Sequence, residues 1–353
     1  MNIPDKTPSA LRPLRIGILG CANIARQFTR DVRDSTAVQV VAVASRQADT
    51  AAAYAAANGI GRHFGSYEAL LADPGIDAIY LPLPNSMHAE WATKAAAAGK
   101  HILSEKPLAL GRSEALAMFA AARQHGVMLL EAYPWWFQPQ TRDLLALLHG
   151  GTLGEVRSVQ ASFGFTLGNP QNNIRMKPEL GGGALLDAGS YTLSMIRLVM
   201  GCAPSRVTAV AHWADSGVDI STMAMLEFAD GRRAQMSCAM DGGNHRHATI
   251  VCTQGTVETE YLNHTSDRHD HPLGYLPSQM RVRKGILNSI PFETPRSATG
   301  SGFRFGAEAF AKVVADHDFA AIERAAAASI DIAATLEAIA QSARTGRAVD
   351  VAG

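Results

Sequence analysis

Three stretches of the chain hold residues that point to chemistry. The first, Ile102-Leu103-Ser104-Glu105-Lys106-Pro107, is an apolar run that stops on a carboxylate, an ammonium and a proline. Proline has no N–H for a β ladder and biases the residue before it away from helix, so this strand delivers charge to the edge of a sheet. A cis bond at Pro107 is one way to fix the turn that aims Lys106. The second, Gly20-Cys21-Ala22-Asn23-Ile24-Ala25, follows the apolar run Arg15-Ile16-Gly17-Ile18-Leu19. It fits the dinucleotide fingerprint G-x-G-x-x-G/A loosely, with Ala22 where the second glycine lets backbone approach a pyrophosphate. A helix starting there still offers N–H groups and a positive dipole to phosphate. The third, Gly181-Gly182-Gly183 followed by Asp187 and Tyr191, opens a helix running to about Met200 with Leu186, Leu193, Ile196 and Met200 as its buried stripe. Asp187 and Tyr191 are four residues apart, on one helix face, and can work as a pair. The glycines allow another backbone or a ligand to come close. Each stretch also has a plainer reading, as a surface lysine, an ordinary turn or a helix cap.

The elements around them give the pattern its weight. Val38-Gln39-Val40-Val41-Ala42-Val43-Ala44, Ile76-Asp77-Ala78-Ile79-Tyr80-Leu81 and Val127-Met128-Leu129-Leu130-Glu131 read as further strands. Helical segments alternate with them, which argues for a parallel sheet with helices on both faces over residues 14–131. Gly20, Ser45, Arg46, Asn85, His88, Glu105 and Lys106 then all sit at carboxyl ends of strands, the edge where open α/β sheets bind ligands. With Ala22, Asn23 and Ile24 of the turn and Leu83 before Asn85, they form the expected cofactor set. The second strand ends on Ser45-Arg46 with no acidic residue to bind the ribose hydroxyl of NAD. Ser45 can donate to a 2′-phosphate and Arg46 can pair with it or stack on adenine, which favours NADP over NAD. An ordinary solvated arginine is the alternative.

A length of 353 residues suggests two domains. Lysine plus arginine (32) balances aspartate plus glutamate (32), so no electrostatic footprint for nucleic acid or an anionic membrane exists, and a small-molecule role is favoured. Cys21, Cys202, Cys238 and Cys252 form no C-x-x-C pair, which indicates neither zinc nor a disulfide framework and fits a reducing cytoplasm. Residues 1–13 carry prolines and mixed charge and read as a disordered arm, and no run reaches the length of a membrane span.

Beyond residue 131 the rhythm changes to an α+β segment, 132–305, rich in strands that form a large, mostly antiparallel sheet. Asp230-Gly231 reads as a tight hairpin. Ala234, Met236, Cys238 and Met240 alternate with Gln235, Ser237 and Ala239, so one apolar face is expected. Left uncovered, such a face needs a partner subunit. Trp135 and Trp136 read either as interface core or as the wall of a substrate pocket. The polar loop holding Asn173 and Arg175 reads as a substrate lid or a plain connection. His245, His247, His264, His269 and His271 match no standard metal-ligand spacing, and 264–271 reads as a polar loop. Residues 306–353 read as helices packing back on the first domain.

Taken together, Gly20 to Ala25, Pro84-Asn85-Ser86-Met87-His88, Glu105-Lys106-Pro107 and the triple glycine followed by Asp187, Gly189 and Tyr191 resemble the glucose-fructose oxidoreductase, inositol dehydrogenase and MocA family over nearly the whole chain. The resemblance is nearest the dihydrodiol dehydrogenase and xylose dehydrogenase branch. It implies a Rossmann domain, an open-faced sheet used for a homodimer or dimer of dimers, and hydride transfer between NAD(P) and a sugar, polyol or cyclic diol. It also implies Lys106 as catalytic lysine, Tyr191 as acid/base and Asp187 as substrate-positioning carboxylate. Relatives often carry Arg-Tyr-His-Pro or Arg-Phe-His-Pro where this chain reads Trp136-Phe137-Gln138-Pro139, which bears on the substrate. Tyrosine, with an ordinary pKa of about 10, is a poor base near neutrality, and a neighbouring ammonium lowers an acid's pKa by roughly 1 to 3, so Lys106 is expected to tune it. A catalytically silent NAD(P)-binding sensor is the rival reading, and retention of Lys106, Asp187 and Tyr191 together speaks against it.

Overall fold

The computed structural model describes residues 12–260, 280–298 and 300–353. Most of the expected amino-terminal arm and the expected polar loop with His264, His269 and His271 lie outside the described residues. The first half alternates as the apolar runs require: β1 (Leu14–Leu19), α1 (Asn23–Asp31), β2 (Val38–Ala44), α2 (Ala48–Asn58), β3 (Arg62–Phe64), α3 (Tyr67–Leu71), β4 (Ala78–Leu81), α4 (His88–Ala97), β5 (His101–Glu105), α5 (Arg112–Gln124) and β6 (Leu129–Ala132). The strands form one parallel sheet in the order β3-β2-β1-β4-β5-β6. This is the doubly wound order, and its switch point falls between β1 and β4, beside the phosphate turn. Ile79, Ile102 and Leu129 belong to one buried cluster, and Ile18, Tyr80 and Leu103 to another, so alternate residues of the strands feed separate cores, as a sheet covered on both faces requires.

The second half adds α6 (Pro139–His149), β7 (Val156–Thr166), α7 (Ser190–Met200), β8 (Arg206–Trp213), β9 (Asp219–Glu227), β10 (Arg233–Ala239), β11 (Asp241–Cys252), β12 (Gly255–Glu260), β13 (Met280–Lys284), α8 (Gly302–Asp316), α9 (Phe319–Thr345) and β14 (Val349–Asp350). The sheet order is β13-β12-β11-β7-β10-β9-β8-β14, antiparallel throughout except for the β7–β10 pair. Asp230 and Gly231 lie in the β9–β10 turn, where Gly231 takes a φ of 84°.

Two expectations change here. Ala234, Met236, Cys238 and Met240 form the covered face, in one core with Leu193, Ile196 and Met200 of α7 and Leu336 of α9. The other face is the open one, and there Val210, Met223 and Met225 are exposed beside Gln160, Gln235 and Ser237. The carboxyl-terminal segment is also more than a helical cover: after α9 packs against α5 and β6 of the first sheet and α7 and β8 of the second, residues 349–350 add an edge strand to the large sheet. The strands over 280–284 and 349–350 carry Arg281, Arg283 and Asp350 between their apolar residues, and their pairing comes from the sheet edge rather than from local pattern.

Candidate functional site

The carboxyl edge of the parallel sheet and the near end of the large sheet face each other across a cleft of about 880 Å³. On the first wall, Gly20 takes a φ of +106°, and a Cβ there would stand 2.8 Å from the Leu83 side chain, so the turn is reserved for glycine. Ala22 precedes α1 without capping it, which leaves the first N–H groups of the helix directed at the cleft that Cys21, Ala22, Asn23 and Ile24 line. Ser45 and Arg46 stand at the end of the neighbouring β2, and Arg46 is exposed, with no ion-pair partner among the described residues. These features fit a dinucleotide: an uncapped helix end, a tight turn and a free cation on the next strand.

Glu105 is fixed from the adjacent strand. The Tyr80 hydroxyl donates to Glu105 Oε1 at 2.5 Å, and the Tyr80 ring stacks on Phe28 at 4.0 Å. Burial raises the Glu105 carboxyl above its ordinary range, against the pull of Tyr80 and Lys106. The Lys106–Pro107 peptide is cis. Lys106 reaches across the cleft, where its ammonium donates to the Asp187 carbonyl and to Asp187 Oδ1, both at 2.9 Å. Arg175 donates through Nε to Asp187 Oδ2 at 2.6 Å, and Asn173 Oδ1 accepts from the Arg175 N–H at 3.1 Å to set that turn. Burial alone would push the Asp187 carboxyl up, but Lys106 and Arg175 hold it well below the usual carboxylate range.

Asp187 sits in a π-helical turn, 185–189, that runs into α7. Such turns are rare and frequently mark functional sites. Buried Asp219 secures it by accepting from the Leu185 N–H at 2.7 Å and the Thr222 hydroxyl at 2.8 Å. Gly182 and Gly183 let other chain segments in: a Cβ on Gly182 would lie 2.5 Å from the Arg175 carbonyl oxygen, and one on Gly183 2.2 Å from Asp219 Oδ1. Asn85 donates to the Gly181 carbonyl at 2.8 Å, so it ties the two walls together while lining the cleft. Tyr191 is 6% exposed, its ring stacked on Phe163 at 4.8 Å with the Lys106 ammonium 4.5 Å from its centroid. Burial, then Glu105 and Asp187, hold its hydroxyl well above the usual phenol range, while Arg246 and Arg175 pull the other way.

Three expected contacts are corrected. His88 is fully buried, with Nδ1 2.9 Å from the Pro107 carbonyl and Nε2 2.8 Å from the Leu83 carbonyl, so it buckles two loops together and has no nitrogen left for a cofactor. Trp135 is 1% exposed and donates to the Ser194 hydroxyl at 3.0 Å, which makes it core. Trp136 packs against the same core and does not line the cleft. The apolar sequence of both tryptophans fitted either reading; the helix α7 behind them decided it.

Other cleft residues carried no local signal. Arg246 and Phe163 become neighbours only through the β7–β11 pairing, where they are register partners. Glu131 is 1% exposed beneath the lysine loop. Its Oε1 accepts from the Leu108 N–H at 2.8 Å, and the Tyr133 and Ser329 hydroxyls face the same carboxyl and favour its charged form. Burial raises this carboxyl to about 7, against Ser329, Leu108, Tyr133 and Lys106. A folded-state pKa of about 7 against an ordinary 4.5 means stability fully present below about 4.5 and lost as pH rises from there to about 7. Glu131→Gln keeps the acceptor for Leu108, so thermal unfolding is expected to show the variant gaining on the parent as pH rises from about 4.5 to about 7 and holding that gain above, by on the order of 3 kcal/mol. Parallel melting curves at every pH would contradict this.

Among the described residues, no group of three or more His, Cys, Asp and Glu side chains is placed to hold a metal ion, and no helix is long and apolar enough to cross a membrane.

Residues 14–133 match the oxidoreductase family, NAD-binding Rossmann fold, and residues 141–258 match the GFO/IDH/MocA C-terminal domain. D-xylose 1-dehydrogenase (NADP(+)) 2 of Haloferax volcanii is 34% identical over 96% of this chain and 100% of its own length. Trans-1,2-dihydrobenzene-1,2-diol dehydrogenase of Danio rerio is 36% identical over 69% of this chain and 74% of its own. A 3-ketoreductase from Actinomadura kijaniata, solved with NADP and TDP-benzene, superposes with a TM-score of 0.82 at 30% identity, covering 94% of this chain and 98% of that one. With both of its halves matched in order and a relative aligned along nearly its full length, the chain belongs to the GFO/IDH/MocA family of NAD(P)-dependent oxidoreductases.

Proposed function

We propose that this enzyme uses NADP, with NAD as a weaker substitute, to interconvert a sugar carbonyl or cyclic ketone with its alcohol, and that it works best as a reductase. The observation that carries the reading is the meeting of Lys106 with Asp187 over the Tyr191 ring, inside the cleft that the phosphate turn lines. A silent sensor has no need of that junction.

A reduced nicotinamide supplies the hydride that a carbonyl carbon accepts. The chain's part is the proton and the geometry. Tyr191 keeps its proton at neutral pH, because burial and two carboxylates raise its hydroxyl, and this suits donation to a developing alkoxide. The phenolate left behind faces Arg246 and Arg175, which favour it. Lys106 has three N–H donors. Asp187 takes two of them, so one remains for the substrate oxygen. Because the ammonium stands over the ring face and is engaged by Asp187, Lys106 acts chiefly in orientation. Its tuning of Tyr191 is the smaller effect. Arg46 and Ser45 favour the 2′-phosphate of NADP.

The assay is purified enzyme with NADPH or NADH and a panel of keto-sugars and aldoses, followed by the absorbance of reduced nicotinamide. Turnover with NADPH above NADH supports the proposal; cofactor binding without turnover across the panel favours the sensor.

We also propose a homodimer through the open face of the large sheet, where Val210 is 67% and Met223 63% exposed on neighbouring strands. Two adjoining apolar side chains in a polar setting fit an isologous contact. Sedimentation velocity is expected to give a dimer for the parent and a monomer for Met223→Asp. A parent that sediments as a monomer would refute it.

A further inference from the structure

The charges in the cleft do not cancel locally. Lys106 and Arg175 both bond Asp187. Glu105 is bonded by Tyr80 and lies beside Lys106. Arg246 lines the same cleft, partly buried, and has no acceptor or ion-pair partner among the described residues. Its position explains why it points there. On β11, Ala248 and Ile250 face the core, and His247 and Thr249 lie on the open face. Alternation puts Arg246 and Asn244 on the covered side, and both line the cleft beyond the apolar part of that face. Arg246 stands across the β7–β11 pairing from Phe163, whose ring stacks on Tyr191.

The phosphate turn lies on the other wall, at Cys21 to Ile24, so the cofactor's diphosphate has its own helix end and does not explain Arg246. Guanidinium groups that are partly desolvated are paired as a rule, and their planar fork matches carboxylate and phosphate oxygens. A neutral sugar would leave this cation unmatched. We propose that the substrate is an anionic sugar, one carrying a carboxylate or a phosphate that Arg246 binds beside Tyr191, with Asn244 of the same strand face as a hydrogen-bonding neighbour.

This rests on the oxidoreductase reading above, and two readouts separate them. Calorimetry on the NADPH complex measures binding of D-glucuronate, a glucose phosphate monoester and dTDP-glucose against D-glucose and D-xylose. Turnover is measured on the corresponding carbonyl forms. At least one anionic sugar is expected to bind about 10- to 100-fold more tightly than the neutral ones, by an amount that shrinks with salt. Arg246→Met is expected to collapse that ratio toward one, and Arg246→Lys to restore part of it, while NADPH affinity reports that the fold persists. The arm that responds identifies carboxylate, phosphate monoester or nucleotide diphosphate as the source of the charge. Neutral sugars binding as tightly as every anionic one, or a ratio that Arg246→Met leaves in place, would overturn the inference. Anionic binding that depends on Arg246 but leads to no turnover would keep Arg246 as the anion-binding group, overturn the anion as substrate and count against the reductase.

Discussion

Lys106→Met is expected to lower kcat/KM by about 10³-fold or more while NADPH affinity changes little. The substitution keeps much of the aliphatic stem, which is only 11% exposed, and removes the ammonium. Asp187 retains Arg175 at 2.6 Å, so the carboxylate is not left without a partner and the fold should survive. What disappears are the two bonds by which Lys106 holds Asp187 from the first sheet, together with the donor left for substrate. The cofactor turn at residues 20–24 makes no use of the ammonium. Fluorescence titration with NADPH beside steady-state kinetics distinguishes this from general damage: equal losses in both would mean a structural role, and normal turnover would remove Lys106 from the mechanism.

Asp187→Ala should be worse for the protein as well as for the reaction. Two cations, Lys106 and Arg175, converge on one carboxylate that is itself nearly buried. Deleting the shared partner of a buried pair typically costs about 3–5 kcal/mol, because a charge is left unmatched. Arg175 is 38% exposed and can turn toward water, so the lower end of that range is expected. The clean outcome is a lowered melting temperature together with loss of turnover. Asp187→Asn, which keeps an acceptor but not the charge, should recover part of the stability and little of the activity. If Asp187→Ala melts like the parent, the convergence of the two cations carries no energetic weight.

How far the sequence reveals these arrangements depends on how local their causes are. The alternation of strands and helices over residues 14–131 follows from apolar runs closed by Gly20, Pro82 and Pro107, and the observed order β3-β2-β1-β4-β5-β6 places the marked residues on one edge. Lys106, Asp187 and Tyr191 are legible because charge at a strand end and a pair four residues apart are short-range patterns. Their junction is not, since Lys106 and Asp187 are 81 residues apart in the chain. His88 illustrates the opposite error. A histidine at a sheet edge looks available, and only the carbonyls of Leu83 and Pro107, brought to both its nitrogens by folding, reveal that it is spent. Trp135 was ambiguous for the same reason, because an aromatic cluster fits a pocket wall and a core equally until Ser194 on α7 is found bonded to its indole. Arg246 shows no local signal: β11 begins Asp-Gly-Gly-Asn-His-Arg-His, too polar to read as a strand, and its strand character is lent by β7.

The long helix α9 touches α5 and β6 on one side and α7 and β8 on the other. It therefore sets the spacing between the wall that carries Lys106 and the wall that carries Asp187, although it contributes no residue to the cleft lining. Both walls emerge from the ribosome well before residue 319, where that helix begins. During synthesis the two halves of the site exist for a time without the helix that packs against both sheets. The helix that braces the meeting of Lys106 with Asp187 and the Tyr191 ring is thus the last large element of the described chain to be made.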